Sequence, residues 1–254
     1  MRDTKNVIKL INNLSEKRSA RRKEGLFVIE GLHLIEEAGK KVKFAVYSEN
    51  LPIVQKLEEQ GTGCYKVSRK QLEEISGVET PQGIIGVARQ FDYSMRDLFK
   101  GDKTLIVYCL GVQDPGNLGT IIRSADAFGA SGVIISKGTV DLYNPKVVRS
   151  TMGSIFHLPI ITRENDVETI EHLKKENVKV VASVLGTDMR LDEVALAGPV
   201  AFLVGNEGAG LSEEVVGLAD AKVNIPMLGK AESLNVGIAA SIMLYERGGF
   251  FVIL

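Results

Sequence analysis

Three loops of this sequence combine glycines with side chains that could bind a ligand or hold a reacting group. In the first loop, Asn117 precedes Arg123 by six residues. In the second, Glu207 lies among three glycines, and the third contains Ser233 and Asn235. Carboxylates and amides bind hydroxyl groups or a cation, whereas an arginine binds a phosphate or a hydroxyl. These residue types predict a ligand site that also contacts an anionic or hydroxyl-bearing substrate.

The glycine-rich loop from Gly205 to Gly210 restricts the kind of ligand. Its glycines allow positive φ and a close approach of the backbone. The loop does not fit the dinucleotide pattern G-x-G-x-x-G, and it lacks the Gly-Lys-Ser/Thr of a phosphate-binding P-loop. Glu207 disfavours a phosphate and suits a cationic or hydroxyl-bearing ligand. A dinucleotide-dependent enzyme is therefore not favoured, and neither is a hydrolase, because no G-x-S-x-G elbow is present.

Each of these residues also has a purely structural interpretation. Arg123 falls opposite the apolar arc of its predicted helix, where a solvated arginine would lie. Ser233 or Asn235 could serve only as the cap of the last helix. A loop rich in glycine is often only a tight turn. The spacing by itself leaves both interpretations open.

The elements around these loops alternate between strand and helix from Thr104 onward. Short apolar runs rich in β-branched residues predict strands buried on both faces of a parallel sheet: TLIVYCL, GVIIS, KVVASVL, VAFLVG and KVNIP. Helices are expected around 117–129, 166–176, 212–219 and 235–247. The pattern indicates an α/β sheet covered by helices on both faces. Ligands of such sheets bind beyond the carboxyl ends of the strands, which is where the three loops lie.

The last predicted helix, 235–247, has little polar surface. A helix that is apolar nearly all round is expected to be buried. In a domain of this size, such a helix at the end of the chain suggests an oligomer interface or an unusual enclosure.

The N-terminal part predicts a small α/β unit with a basic stretch and a linker around residues 89–100. Residues 1–97 hold 17 Lys and Arg against 14 Asp and Glu, and the remaining residues hold 14 against 18. Five cations lie close together in this part: Lys17, Arg18, Arg21, Arg22 and Lys23. Such a cluster can contact nucleic-acid phosphates or can be a solvated face.

The composition excludes several classes of protein. No apolar run approaches the roughly 18 residues of a membrane helix, and the N-terminus lacks the pattern of a signal peptide. The two cysteines have neither metal nor redox spacing. The three histidines lie in unrelated contexts, so no metal site is expected. These features favour a reducing, cytoplasmic setting without membrane attachment.

In their order and context, the three loops resemble the SpoU family of the SPOUT methyltransferases. The motifs that carry the resemblance are Asn117-Leu118-Gly119 with Arg123; Gly205, Glu207-Gly208 and Gly210; and Ile225-Pro226-Met227 with Ser233-Leu234-Asn235-Val236. The N-terminal part resembles the substrate-binding domain of that family, whose fold is similar to ribosomal proteins that bind kinked RNA. Its signatures here are the basic stretch at 17–23, then Phe27-Val28-Ile29-Glu30-Gly31, and later Pro81-Gln82-Gly83.

The resemblance implies a fold and an activity. It implies an RNA substrate-binding domain over 1–97 and, over 98–254, a catalytic domain with a deep trefoil knot. It further implies a homodimer that uses S-adenosylmethionine to methylate a ribose 2′-hydroxyl, with 23S rRNA favoured over tRNA. A non-catalytic RNA-binding protein on the same scaffold is the rival hypothesis. That rival predicts loss of Asn117, Arg123 or Asn235, and all three are present.

The resemblance also assigns residues to the two parts of the site. The cofactor contacts would come from Val184, Leu185, Gly186, Gly205, Ile225, Met227 and Leu234. The reaction site would comprise Asn117, Arg123, Glu207, Ser233 and Asn235. Because an arginine normally stays protonated, we expect Arg123 to bind a phosphate and stabilise an oxyanion rather than to remove a proton. Glu207 could hold either Asn117 or an arginine of the partner.

Overall fold

The structure is a computed structural model that describes residues 4–247. Its residues fall into two compact units. Unit 1 comprises the described residues up to Asp92 together with Asp141–Phe156. Unit 2 comprises Tyr93–Val140 and the described residues from His157 onward. The division at residues 97 and 98 stays a prediction about the order of domains along the sequence.

The elements follow one another along both units. The strands are β1 (Leu26–Glu30), β2 (Val42–Tyr47), β3 (Gly63–Lys66), β4 (Ile84–Arg89), β5 (Leu105–Cys109), β6 (Gly132–Ser136), β7 (Ile160–Arg163), β8 (Lys179–Ser183), β9 (Val200–Val204) and β10 (Ala221–Val223). The α-helices are α1 (Thr4–Glu16), α2 (Arg18–Glu24), α3 (Leu32–Ala38), α4 (Pro52–Glu59), α5 (Arg69–Ile75), α6 (Pro115–Ala127), α7 (Pro145–Ser150), α8 (Asp166–Lys175), α9 (Glu213–Leu218) and α10 (Val236–Arg247).

Unit 1 is built on a four-stranded mixed sheet in the order β1-β4-β2-β3. Strand β4 is antiparallel to β1 and β2, and β3 is parallel to β2. Helix α1 buries Val7, Ile11 and Leu14, whose spacing places them on one helical face. They pack in the core with apolar residues of the sheet such as Val28. The small α/β unit predicted for the N-terminal part is therefore present.

The segment Asp141–Phe156 packs within unit 1 although it follows β6 along the chain. The ring of Phe27 on β1 lies 4.7 Å from Tyr143 and 6.2 Å from Phe156, measured between centroids. The Arg21 guanidinium is 2.6 Å from the Asp141 carboxylate. Because these contacts join residues more than a hundred positions apart, local sequence patterns gave no sign of them.

Unit 2 is built on a six-stranded sheet in the order β10-β8-β9-β5-β6-β7. Every neighbouring pair is parallel. Each residue of β5, β6 and β9 is buried, as expected for strands covered on both faces. The α/β class and the parallel sheet are therefore confirmed. Strand β7, a short segment that ends in Thr162 and Arg163, was missed by the sequence analysis.

The strand order of this sheet changes direction between β5 and β9. From β5 the chain continues on one side to β6, whereas β9 lies on the other side of β5. Ligands of open α/β sheets bind where the strand order changes direction in this way. The loop after β5 leads into the first turn of α6, which carries Asn117, and the loop after β9 carries Glu207; both belong to unit 2. The trefoil knot stays a prediction.

Helix α10 packs on α6, the helix that carries Arg123. The hydroxyls of Ser124 and Ser241 are 2.6 Å apart, and Phe128 packs edge-on against Tyr245. One face of α10 is buried, while Ile238 and Tyr245 remain 49% and 50% exposed. The expectation of a helix enclosed on all sides is therefore wrong for the chain by itself. Among residues 4–247, no helix has the length and apolar character needed to cross a membrane.

Candidate active site

The loop after β5 places Asn117 on the first turn of α6. The Asp114 carboxylate caps the helix by accepting a hydrogen bond from the Asn117 backbone N–H, with a distance of 2.9 Å. Pro115 occupies the first turn, where its fixed φ suits the start of a helix. The backbone is thereby fixed, and the amide side chain of Asn117 is left to make other bonds.

The loop after β9 closes on itself and presents Glu207. Asn206 and Gly210 exchange two backbone hydrogen bonds of 3.0 and 2.9 Å. A Cβ at Gly205 would lie 2.3 Å from the carbonyl carbon of Gly210, so only glycine fits there. Gly210 itself has a φ of +69°, in the left-handed region that favours glycine. These two glycines therefore shape the loop.

The Glu207 carboxylate joins the second loop to the first. Its Oε1 accepts hydrogen bonds from Asn117 Nδ2 and from the Asp114 N–H, each 3.0 Å long. Its Oε2 accepts from the Gln113 N–H at 3.1 Å. Burial raises the pKa of this carboxyl, but these hydrogen bonds outweigh burial and hold the pKa below its ordinary value. Of the two partners considered for Glu207, the structure shows contact with Asn117.

Asn235 joins the third loop to the same network. Its Oδ1 accepts from the N–H groups of Gly237 and Ile238, at 2.9 and 3.2 Å, and so caps α10. Its Nδ2 donates to Asn117 Oδ1 over 2.7 Å. The capping interpretation of Asn235 is thus correct, yet the same side chain also bonds to Asn117. We call the chain of hydrogen bonds Glu207–Asn117–Asn235 the amide–carboxylate network.

A cavity of about 510 Å³ opens beside the network in unit 2. Pockets for small organic ligands span roughly 300–1,000 Å³. Its lining includes these predicted residues: Val184, Leu185, Gly205, Glu207, Ile225, Met227, Ser233, Leu234 and Asn235. It also includes the motif residues Gly208, Gly210 and Val236, and five residues to which the sequence assigned no role: Ser183, Val204, Asn206, Glu232 and Ala239. Apolar walls suit a planar base, and two carboxylates suit hydroxyl groups and a cation, so the residues present fit S-adenosylmethionine.

Three predicted residues do not line this cavity: Gly186, Asn117 and Arg123. Asn117 is connected to it through Glu207 and Asn235. Arg123 is exposed on α6, and its guanidinium forms no hydrogen bond or ion pair with any residue in the described range 4–247. The structure therefore brings together most of the predicted site and leaves Arg123 free to meet a ligand.

Asn206 is a residue whose contribution the sequence analysis missed. Its Nδ2 donates to Gly111 O over 2.8 Å, and its Oδ1 accepts from the N–H groups of Gly208 and Ala209 at 2.9 Å each. The Gly111 N–H in turn donates to Ser136 Oγ at 2.9 Å. These bonds fix the first two loops relative to each other. The only sequence signal was an amide inside a glycine-rich turn.

The basic stretch of unit 1 divides into exposed and buried cations. Lys17, Arg18, Arg22 and Lys23 are exposed on or next to α2. Arg21 is buried and donates hydrogen bonds to the Asp141 carboxylate and to two backbone carbonyls of α1. The prediction that Arg21 contacts RNA is therefore wrong, because its donors are already bonded inside the unit.

A six-stranded parallel sheet, with a cavity and three joined loops at its carboxyl edge, defines unit 2 as a ligand-binding α/β domain. Residues 104–245 match the SpoU rRNA Methylase family, and residues 5–86 match the MRM3-like substrate binding domain. The chain belongs to the SpoU rRNA methylase family. The resemblance drawn from the three motifs is thus confirmed, and with it the class of RNA 2′-O-methyltransferase.

Individual relatives match over nearly the whole chain. A 23S rRNA (guanosine(2553)-2′-O)-methyltransferase, RlmP from Bacillus subtilis (strain 168), is 39% identical, covering 90% of this chain and 91% of its own. The AdoMet-bound rRNA methyltransferase from Sinorhizobium meliloti is 35% identical with a TM-score of 0.86, covering 97% and 96%. The SpoU methyltransferase AviRb from Streptomyces viridochromogenes is 28% identical with a TM-score of 0.87, covering 96% of both chains.

Proposed function

We propose that this protein transfers a methyl group from S-adenosylmethionine to the 2′-hydroxyl of a guanosine in 23S rRNA. The observation that carries the proposal is the amide–carboxylate network, which joins all three loops beside the cavity of unit 2. Such a network fixes polar groups in the geometry that a reaction between two bound molecules requires.

The cavity is the proposed cofactor site. Backbone groups of Gly205, Ile225, Met227 and Leu234 would hold the cofactor, and Val184 and Leu185 would border the same pocket. When bound, S-adenosylmethionine supplies a methyl group on a positively charged sulfur. The carboxylate of Glu207 has a depressed pKa and therefore stays ionised at neutral pH, which favours a cation nearby. Gly186, which lies outside the lining, is the least supported member of the predicted set.

Asn117 and Arg123 are the proposed contacts of the RNA ribose. Asn117 is fixed from both ends, since its Nδ2 donates to Glu207 and its Oδ1 accepts from Asn235. Arg123 makes no hydrogen bond or ion pair within residues 4–247, so its guanidinium can bind the phosphate beside the target ribose and stabilise the oxyanion as it forms. Ser233 lines the cavity and would hold the hydroxyl or the cofactor.

The choice of 23S rRNA rests on the extent of the similarity. The Bacillus subtilis relative, whose name gives a guanosine of 23S rRNA as its target, matches over 90% of this chain. Unit 1 carries exposed cations on and next to α2, and Lys17, Arg18, Arg22 and Lys23 would contact RNA phosphates. Because both the catalytic and the substrate-binding regions are shared, we favour rRNA over tRNA and over a non-catalytic RNA-binding function.

The exposed apolar side chains of α10 support a homodimer. Ile238 and Tyr245 stand half exposed on a helix whose other face is fully packed. A second copy would remove this apolar surface from water. Sedimentation of the wild type and of Ile238→Lys tests this part. A wild type that sediments as a monomer at micromolar concentration would exclude the dimer.

One experiment tests the activity and its target together. Ribose methylation is mapped across total RNA from a strain that lacks the protein, and purified protein with S-adenosylmethionine is then added to that RNA. We expect one lost site in 23S rRNA, at a guanosine, that purified protein restores. A restored site in tRNA would correct the substrate, and no lost site would contradict the proposal.

A further inference from the structure

A second arginine of unit 1, Arg149 on α7, differs from the buried Arg21 in how its donors are used. Its Nη1 lies 3.7 Å from Glu30 Oε2, and its side chain is 26% exposed. The guanidinium packs closely on Gly77: a Cβ added at Gly77 would lie 2.8 Å from Arg149 Nη1. The side chain is therefore held against the end of β1 and is still open to solvent on its other side.

The carboxylate that faces Arg149 is itself fixed. The side chain of Glu30 is only 6% exposed and accepts hydrogen bonds from Ser76 Oγ and, at 3.0 Å, from the Gly77 N–H. A carboxylate with both oxygens held cannot swing away from the arginine. Glu30 therefore limits the directions in which the guanidinium can point.

The donors of Arg149 are unused. An arginine has five N–H donors, and at 3.7 Å its contact with Glu30 is an ion pair too long to be a hydrogen bond. Within residues 4–247, this side chain donates to no acceptor, and none of its nitrogens is among the buried atoms that lack a partner. The unused donors therefore face solvent, in an orientation already limited by Glu30 and Gly77.

We propose that Arg149 binds a phosphate of the substrate RNA. A planar guanidinium held in place matches two phosphate oxygens with little loss of side-chain freedom. Lys146, three residues earlier on α7 and exposed, adds a second cation on the same side of the helix. The inference rests on the proposed function, since it assumes an RNA substrate, and it adds a phosphate contact outside the basic stretch of α2.

The test compares Arg149→Gln and Arg149→Lys with Arg69→Gln. Arg69 is an exposed arginine of the same unit that is already paired with Glu49 and Glu73, so its loss changes net charge equally. Binding of unmodified, in vitro-transcribed 23S rRNA is measured at several salt concentrations. Melting temperature and S-adenosylmethionine affinity are measured for every variant.

We expect Arg149→Gln to weaken RNA binding about tenfold, as loss of a charged hydrogen-bonding group does. The slope of log affinity against log salt concentration should become shallower by the amount that one phosphate contact contributes. Arg149→Lys should keep the salt dependence but lose affinity, whereas Arg69→Gln should change affinity less than about twofold. Melting temperature and cofactor affinity should match the wild type.

Other outcomes would overturn the inference. Wild-type affinity and salt dependence in Arg149→Gln would show that no phosphate is bound there. Weaker binding in both Arg149 variants with a lower melting temperature and unchanged salt dependence would show a structural role. A wild type that binds the RNA without methylating it would remove the proposed function but leave the test of Arg149 valid. A wild type that does not bind it would remove both.

Discussion

The buried ion pair of unit 1 and the amide–carboxylate network of unit 2 are two ways of using charged groups. Arg21 and Asp141 have side-chain exposures of 5% and 16%, and every donor group of Arg21 is directed at an acceptor inside the unit. Glu207 and Asn235 are exposed residues of loops, and Asn117 is half-buried on the first turn of α6. The ion pair fastens the segment Asp141–Phe156 to the sheet of unit 1, whereas the network orients side chains beside a cavity.

The ion pair and the network control different properties of the protein. A buried charge is costly without its partner, so breaking the ion pair should affect folding. An exposed carboxylate has water as an alternative partner, so breaking the network should affect geometry more than stability. Measurements of both stability and catalysis on the same variants test this distinction.

The largest expected effect on stability comes from Arg21→Met. The substitution leaves Asp141 and two backbone carbonyls without their donor, and we expect the free energy of unfolding to fall by about 3 kcal/mol. Denaturant unfolding measures the change. Arg22→Met, on the exposed side of the same helix, is the control and should change it by less than about 0.5 kcal/mol. Equal losses in both variants would contradict the structural role of Arg21.

The largest expected effect on catalysis comes from Arg123→Ala. Removal of a donor that stabilises a developing oxyanion lowers kcat by about 100- to 1,000-fold, while cofactor affinity and melting temperature should stay unchanged. Steady-state methylation of 23S rRNA at saturating substrate measures kcat. Arg190→Ala removes an exposed arginine of the same unit that is already paired with Asp192, and it should leave the rate unchanged. A full rate with Arg123→Lys would exclude a role for the planar guanidinium.

A somewhat smaller effect is expected from Glu207→Gln. The variant replaces an acceptor of three hydrogen bonds by an amide whose NH₂ group cannot accept them, so Asn117 loses its fixed orientation. We expect kcat to fall about 100-fold, as for a small displacement of reacting groups. Glu232→Gln removes the other carboxylate of the cavity lining and controls for charge alone. An equal loss in both variants would favour an electrostatic role over positioning.

The smallest expected effect is the pH dependence of stability that Glu207 contributes. Since its pKa is lower in the folded protein than in the unfolded chain, its stabilisation is fully present above the unfolded value of about 4.3. It is lost as pH falls through the lower, folded value. The difference in unfolding free energy between wild type and Glu207→Gln should therefore be constant near neutral pH and shrink in acid. A difference that grows in acid would contradict the lowered pKa.

Local patterns in the sequence predicted much of unit 2. Buried runs of β-branched residues marked β5, β6, β8, β9 and β10, because strands covered on both faces must be apolar throughout. Strand β7 was not predicted because half of its residues are polar. The three loops were found because glycine and capping residues mark the ends of elements. The sequence could not show that Asn117 bonds to both Glu207 and Asn235, since those partners are 90 and 118 residues away.

In unit 1, two arginines show where prediction from sequence stops. The basic stretch identified α2 as charged, yet nothing in its spacing marked Arg21 as buried, because the acceptor on Asp141 lies 120 residues away. Arg149 was not singled out at all, since an isolated arginine on a short helix has no distinctive pattern. Its fixed orientation depends on Glu30 and Gly77, which only the tertiary structure places against it.

Local patterns in the sequence determine the α/β class, most strands of unit 2 and the residue types of the three loops, since helix and strand periodicity and the demands of tight turns are local. Which of these side chains meet, which cations are buried and which donors remain free depends on the tertiary structure. Burial and hydrogen-bond partnership depend on segments far apart in the chain. Local sequence patterns therefore predict which residue types the site contains, and contacts between distant segments set how those residues are arranged.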